Sequence, residues 1–188
     1  CLIQSNKKFI MKKSVLCLLV DGFEEIETVT PVDVLRRAGI EVTIAALADK
    51  TATGKHGMQL VADTTLDVVD ASGFDLLLIP GGPGVAALRR DGRPAKLAAQ
   101  FAANHKPVAA ICAAPLVLLD AGLLAGKKFT AYHSVREELG GGLDERVVID
   151  GQIITSRGAG TALDFSLAIV KHLLGAKAST DVAEEIMA

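Results

Sequence analysis

Short apolar runs alternate with segments of helical periodicity along most of the chain. The runs predict strands over 14–20, 41–47, 74–79 and 108–111, a further strand over 129–132, and hairpins near 58–62 and over 146–156. The helical patterns cover 31–38, 93–103, about 115–121 and 161–174, with a last helix from a cap at Ser179 or Thr180 to Met187. Alternation of this kind is typical of βαβ units. It predicts an α/β protein with a mostly parallel sheet.

The composition agrees with buried parallel strands. Half of the 188 residues are hydrophobic, but only six are Phe, one is Tyr and none is Trp. The core must therefore consist mainly of Ala, Val, Leu and Ile, which is usual for strands that are covered on both faces. The length suits one domain. We expect a single domain over residues 11–188, and we expect residues 1–10, which show little periodicity, to be an extension outside the core.

Charge and cysteine content limit the cellular compartments and the classes of partner that we expect. The net charge of -2 gives no broad positive surface for nucleic acid or an anionic membrane. The apolar run that follows Met11 is short and stops at Asp21-Gly22, so we expect neither a signal peptide nor a membrane span. Three scattered cysteines without a CxxC pair suit a reducing compartment. A cytoplasmic location and a small, nearly neutral partner are therefore expected.

One cysteine occupies a position that favours chemistry. Cys112 ends the apolar run 108–111 and is followed at once by helix-forming residues. Backbone N–H groups at the start of that helix would point at the sulfur and favour a thiolate. An ordinary core cysteine fits the same run, since free cysteine is often buried. The run alone leaves both interpretations open.

Three more polar features follow predicted strands: an acidic turn over 24–27, the pair Gly81-Gly82, and His133. The carboxyl ends of parallel strands meet at one edge of a sheet, where such proteins bind ligands. The glycine pair lacks the spacing of nucleotide-binding loops, which leaves an oxyanion hole or a plain turn. Glu27 is either a buried, protonated partner of Cys112 or a solvated charge at a helix end.

The histidines give a weaker signal. His133 would form a Cys/His pair if it lay within hydrogen-bonding distance of Cys112, but Ser134 beside it is not an acid that would orient the ring. A structural role for His133 is equally open. His56, His105 and His172 show no metal-ligand spacing with one another or with the cysteines. The sequence therefore predicts no metal site.

Four blocks in a fixed order resemble one known family. They are EEIETV with PVDVLRRAG over 24–39, LIPGG over 78–82, AAICAAP over 109–115 and TSRGAGTA over 155–162. Together they resemble the ThiJ/PfpI superfamily, in the branch of the Parkinsonism-associated deglycase and its bacterial homologues. The resemblance extends over about residues 13–183.

The resemblance implies a flavodoxin-like three-layer sandwich that usually forms a homodimer. Cys112 would be the reactive cysteine at a strained strand-to-helix elbow, Glu27 the protonated glutamate beside it, and His133 the nearby histidine. The oxyanion and substrate-binding positions would be Gly81, Gly82 and Ala113, with backbone N–H groups of the last two as donors. His56 stands where close relatives have an arginine near the pocket rim.

The function implied is that of a glutathione-independent glyoxalase or deglycase that needs no cofactor. Its partner would be a small reactive aldehyde such as methylglyoxal or glyoxal, or a protein glycated by one. One alternative is an oxidative-stress sensor or chaperone that uses oxidation of Cys112. Another is a peptidase or amidohydrolase, which Ser134 disfavours because the protease-like branch has an acidic residue there.

Overall fold

The computed structural model describes residues 12–188, so the extension expected at 1–10 lies outside the described residues. The strands are β1 (Ser14–Leu19), β2 (Glu41–Ala46), β3 (Thr51–Thr53), β4 (Gln59–Val61), β5 (Thr64–Thr65), β6 (Leu76–Ile79), β7 (Val108–Ile111), β8 (Val147–Asp150) and β9 (Ile153–Ser156). The helices are α1 (Glu25–Arg37), α2 (Val85–Asp91), α3 (Arg93–Ala103), α4 (Pro115–Asp120), α5 (Ala162–Leu174) and α6 (Ala176–Glu185).

Seven strands form one sheet in the order β5-β2-β1-β6-β7-β9-β8. All neighbours in this sheet are parallel except β8, which runs antiparallel to β9. Strands β3 and β4 form a separate antiparallel hairpin. The chain order reverses between β1 and β6, because β2 lies on one side of β1 while β6 and β7 lie on the other. Ligands bind at the carboxyl ends of the strands at such a point.

Helices cover both faces of the sheet. One face packs against α1, α5 and α6, with Leu35 and Phe165 among the fully buried side chains. The other face packs against α2, α3 and α4, with Leu88 and Phe101 in the core. This arrangement confirms the flavodoxin-like three-layer sandwich. No helix between residues 12 and 188 is long and apolar enough to cross a membrane.

Helix α1 begins at Glu25, whereas the sequence predicted a start at Pro31. The carboxylate of Glu24 accepts a hydrogen bond from the backbone N–H of Glu27 (2.8 Å) and caps the helix. Pro31 lies inside the helix, where its missing N–H leaves the carbonyl of Glu27 without its usual partner. The earlier start places Glu27 in the first turn of α1.

The prediction of a strand over 129–132 is wrong. The backbone N–H of Thr130 donates to the Thr155 hydroxyl (2.9 Å), and the Thr130 hydroxyl donates to the Leu143 carbonyl (2.8 Å). The neighbouring strand β9 is already paired with β7 and β8, so this segment has no place beside it. The segment is extended but contributes no strand to the sheet.

Two helices also differ from the prediction. Helix α2 was not predicted, and α6 begins at Ala176, before the expected cap at Ser179 or Thr180. The Ser179 hydroxyl donates to the Leu167 carbonyl (2.9 Å), so it ties α6 to α5. Strands β3 and β5 were not predicted either, although β4 lies within the hairpin expected near 58–62. The hairpin over 146–156 and the other predicted strands and helices are confirmed to within a few residues at their ends.

Phe165→Ala should lower the free energy of unfolding by about 3–5 kcal/mol, because it opens a cavity in the core between α5 and the sheet. Chemical denaturation of both proteins measures the difference. Leu163→Ala, at a partly exposed position of the same helix, is the matched control and should cost about 1 kcal/mol or less. Equal losses for the two variants would contradict the packing described above.

Candidate active site

Cys112 lies at the sharp turn between β7 and α4, in a left-handed backbone conformation (φ +66°). A non-glycine residue pays about 1–2 kcal/mol for this conformation. Two hydrogen bonds hold the turn in place. The Cys112 N–H donates to the Ser156 carbonyl (2.9 Å), and the Tyr132 N–H donates to the Cys112 carbonyl (2.9 Å). The neighbouring segments thus hold Cys112, which directly follows β7, in a strained conformation.

The Cys112 sulfur contacts three groups from three parts of the chain. The carboxyl of Glu27 and the backbone N–H groups of Gly82 and Ala113 lie close enough to the sulfur to shift its pKa, and Glu27 and Cys112 both border Gly81. These groups follow β1, β6 and β7, whose carboxyl ends lie side by side. The structure therefore brings together Cys112, Glu27, Gly82 and Ala113, as the sequence led us to expect.

Glu27 is buried, with 1% of its surface exposed, so it is not a solvated charge at a helix end. One carboxyl oxygen accepts a hydrogen bond from the Gly81 N–H (3.1 Å). Burial raises the pKa of Glu27 from 4.5 to about 7, and the negative charge of Glu24 adds to the increase. The bonds from Cys112 and Gly81 act in the opposite direction. The carboxyl therefore keeps its proton at pH values where an exposed glutamate has lost it.

Burial also raises the pKa of the Cys112 thiol, and the charge of Glu27 raises it further. The N–H groups of Gly82 and Ala113 lower that pKa but do not reverse the shift. Two adjacent acids in a buried site cannot both ionise cheaply, so they titrate as a pair. A proton held by Glu27 removes the charge that opposes a thiolate. The N-terminus of α4 therefore does not by itself determine whether Cys112 is ionised.

The glycine pair permits the close approach of these groups. A Cβ at Gly81 would overlap the Glu27 carboxyl and lie 2.7 Å from the Cβ of Cys112. Gly82 has a positive φ of 99°, which favours glycine, and a Cβ there would meet the backbone that enters α1. The turn is thus shaped around Glu27 and Cys112.

The two predicted histidines lie farther out. His133 is exposed in a short turn, with its ring 4.2 Å from the Tyr132 ring between centroids, and no hydrogen bond from it to Cys112 is present within residues 12–188. His56 is exposed in the turn between β3 and β4, where its backbone N–H donates to the Glu25 carboxylate (2.6 Å). Neither ring contacts the sulfur in the way a Cys/His pair requires.

A cavity of about 520 Å³ lies beside the elbow, and several of its residues were missed from sequence. Its lining includes Tyr132, His133, Arg136, Arg146, Arg157 and Gly158. A Cβ placed on Gly158 would lie 3.4 Å from the Tyr132 ring and 4.0 Å from the Glu27 carboxyl, which locates the cavity next to the site. Arg157 and Gly158 belong to the block over 155–162, so that block was the available signal.

The fold and the elbow define a class of protein: an α/β sandwich with a cysteine at a strained strand-to-helix turn, beside a buried carboxyl. The model of the DJ-1/PfpI family matches residues 13–172, and the chain belongs to this family.

Relatives and solved structures agree with this assignment. YraA of Bacillus subtilis, whose name assigns it provisionally to the cysteine proteases, is 45% identical over 152 residues, 78% of this chain and 90% of YraA. The deglycase PH1704 of Pyrococcus horikoshii is 36% identical over 147 residues, 76% of this chain and 89% of its own. The structure of oxidized Toxoplasma gondii DJ-1 superposes with a TM-score of 0.88 at 31% identity, covering 93% of this chain and 98% of that one.

Glu27→Gln should change how stability depends on pH. Between pH 4.5 and about 7 the folded protein holds a proton on Glu27 that the unfolded chain has released, so wild-type stability falls as pH rises through this interval. The variant lacks this titration. Relative to the wild type, its free energy of unfolding should therefore rise by about 3 kcal/mol across the interval.

Denaturant titrations at several pH values measure this difference. Glu145→Gln, at an exposed position, is the matched control and should follow the wild-type profile. Parallel profiles for Glu27→Gln and the wild type would show that the Glu27 carboxyl is ionised in the fold throughout.

Proposed function

We propose that this protein is a cysteine-dependent enzyme without a cofactor that acts on methylglyoxal or glyoxal, or on their adducts with proteins. The main observation behind this proposal is that the Cys112 sulfur lies against the buried Glu27 carboxyl and two backbone N–H groups. This arrangement supplies a nucleophile, a proton carrier and an anion-stabilising pair within one site. The relative PH1704, which is named a deglycase, supports the same chemistry.

In the first step the Cys112 sulfur attacks the aldehyde carbon of methylglyoxal. A carbon–sulfur bond forms, the carbonyl electron pair moves to the oxygen, and that oxygen takes up the proton lost by the Cys112–Glu27 pair. The product is a hemithioacetal. The N–H groups of Gly82 and Ala113 are the donors nearest to the developing oxyanion, because both already contact the sulfur.

In the second step a proton leaves the former aldehyde carbon and returns to the neighbouring ketone carbon through an enediol. One carbon is oxidised and the other reduced, so no external oxidant or reductant is needed. Glu27 carries the proton, since its carboxyl lies against the sulfur. Water then hydrolyses the resulting thioester, which releases lactate and restores the thiol. His133 lines the adjoining cavity and is the second group available for proton transfer.

A specific observation favours oxidation sensing as a second candidate. The structure of oxidized Toxoplasma gondii DJ-1 has the same fold as this chain. In this protein a sulfinate on Cys112 would meet the N–H groups of Gly82 and Ala113 and a protonated Glu27, which are three donors for its oxygens. A peptidase has less support, because His133 packs against Tyr132 and Ser134 offers no carboxylate to orient it.

Purified protein should convert methylglyoxal to lactate without glutathione. Cys112→Ser should lower the rate by about 10³-fold or more, because it removes the nucleophile. Cys17→Ala is the matched control and should retain the activity, since Cys17 is buried in the sheet. Lactate formation over time measures all three proteins.

No lactate from folded wild-type protein with a reduced thiol would overturn the glyoxalase proposal and favour oxidation sensing. A genuine deglycase must in addition remove thiol and amine adducts faster than the adducts dissociate on their own. Adduct loss at the spontaneous rate would mean that the enzyme consumes only the free aldehyde.

We also propose that the protein forms a homodimer through α1 and the β3–β4 hairpin. Ile26 (53% exposed) and Val29 on α1, and Met58 and Val61 (71% exposed) on the hairpin, carry apolar side chains into solvent. The hairpin adjoins α1, because the Glu25 carboxylate accepts the N–H of His56. Adjacent exposed apolar residues on two elements are typical of an association face. A second copy is the expected partner because the resembled family usually dimerises.

Ile26→Glu should shift the protein from the mass of two chains to that of one, because it buries a charge in the proposed interface. Sedimentation equilibrium over a range of concentrations measures the mass. Val68→Glu, at an exposed apolar position in the loop after β5, is the control and should leave the dimer intact. A monomeric wild type, or an unaffected Ile26→Glu dimer, would reject this interface.

A further inference from the structure

Two glutamates and a histidine converge beside the first turn of α1. Glu24 and Glu25 are consecutive, and His56 comes from the turn between β3 and β4. Each side chain has one potential ligand atom within 4.8 Å of those of the other two. The spacings among histidines and cysteines in the sequence did not indicate this group, because it joins His56 to two carboxylates more than 30 residues earlier in the chain.

One of these carboxylates is buried without enough hydrogen bonds. Glu25 is 6% exposed, and its Oε1 accepts the His56 N–H (2.6 Å). Its Oε2 is shielded from solvent and has no hydrogen-bond partner among residues 12–188. A buried, unpaired carboxylate oxygen is costly. A Cβ on Gly54 would overlap this carboxylate, so the backbone of the hairpin turn closes tightly around it.

The other two groups are available to the same ligand. Glu24 is buried and uses Oε2 to cap α1, which leaves Oε1 for another contact. The His56 side chain is exposed in the single chain, where an ion can reach the group from solvent, and the group borders the dimer face proposed above. The two carboxylate charges exceed the roughly half positive charge at the N-terminus of α1 even when the single charge of the exposed Lys55 is added.

The donor set selects the kind of ion. One imidazole nitrogen and two carboxylate oxygens suit a borderline divalent ion such as Zn²⁺ better than Mg²⁺ or Ca²⁺, which prefer oxygen alone. Tetrahedral zinc ligands at about 2.0–2.2 Å from the metal lie about 3.4 Å apart. The present spacing of up to 4.8 Å therefore closes with a small movement of the exposed His56 side chain.

We propose that Glu24, Glu25 and His56 form a binding site for a divalent transition-metal ion, with zinc as the preferred ion. The site leaves at least one coordination position for water. It uses none of the groups that contact the Cys112 sulfur directly, so zinc binding can be tested separately from the function proposed above.

The test measures zinc binding in a Cys1→Ser/Cys112→Ser variant of the full chain, which removes the thiols that would compete for the ion. Calorimetry and equilibrium dialysis should give one zinc per chain. His56→Ala and Glu25→Gln, each added to this background, should weaken binding at least about tenfold. His172→Ala is the matched control at an exposed histidine and should leave the affinity unchanged. Substituted Co²⁺ should show visible absorption bands that His56→Ala abolishes.

Absence of stoichiometric zinc binding, or equal affinity in His56→Ala and His172→Ala, would overturn the proposal. Circular dichroism checks that each variant is folded. Because His56 is exposed, His56→Ala should fold, and this variant alone is sufficient for the test if Glu25→Gln fails to fold.

Discussion

The contact between the Glu27 carboxyl and the Cys112 sulfur is the constraint on which the rest of the site depends. Glu27 is buried and Cys112 is partly buried beside it, where only one negative charge is inexpensive. The pair therefore retains a proton, and the sulfur and the carboxyl exchange the role of anion. In the proposed reaction the pair supplies both the thiolate that adds to the aldehyde and the proton that the new hydroxyl needs.

Several local features exist because this contact is so close. Gly81 leaves space that any Cβ would fill, and Cys112 occupies a left-handed conformation that directs its side chain to the junction of three loops. Those loops meet because β1, β6 and β7 are neighbours in the sheet and end at the same edge. The sheet order thus determines which residues meet, while the glycine and the strained elbow determine how closely they meet.

Sequence patterns predicted an element correctly where local residues alone determine its structure. Apolar runs located the parallel strands, and helix α3 has the predicted bounds because its flanking glycine and asparagine are unambiguous. The prediction failed where distant contacts decide. The strand at 129–132 has β propensity, but β9 already has two neighbours, and Pro31 suggested a helix start that the Glu24 cap places earlier. The strand ends predicted that the acidic turn and Cys112 lie at one edge of the sheet, but the contact of Glu27 with Cys112 was implied only by the family resemblance. The proximity of Glu25 and His56 depends on how the hairpin folds over α1.

The acidic turn 24–27 shows why residue type alone cannot assign a role. Three glutamates at a helix start would ordinarily be solvated charges that complement the helix dipole. Successive positions on a helix point about 100° apart, so each side chain here enters different surroundings. Glu24 caps the helix, Glu25 is enclosed by the hairpin, Ile26 faces solvent and Glu27 reaches the sulfur. A single turn therefore joins the helix cap, the candidate ion site, the apolar face and the reacting pair, and a shift of this turn by one residue would disrupt all four.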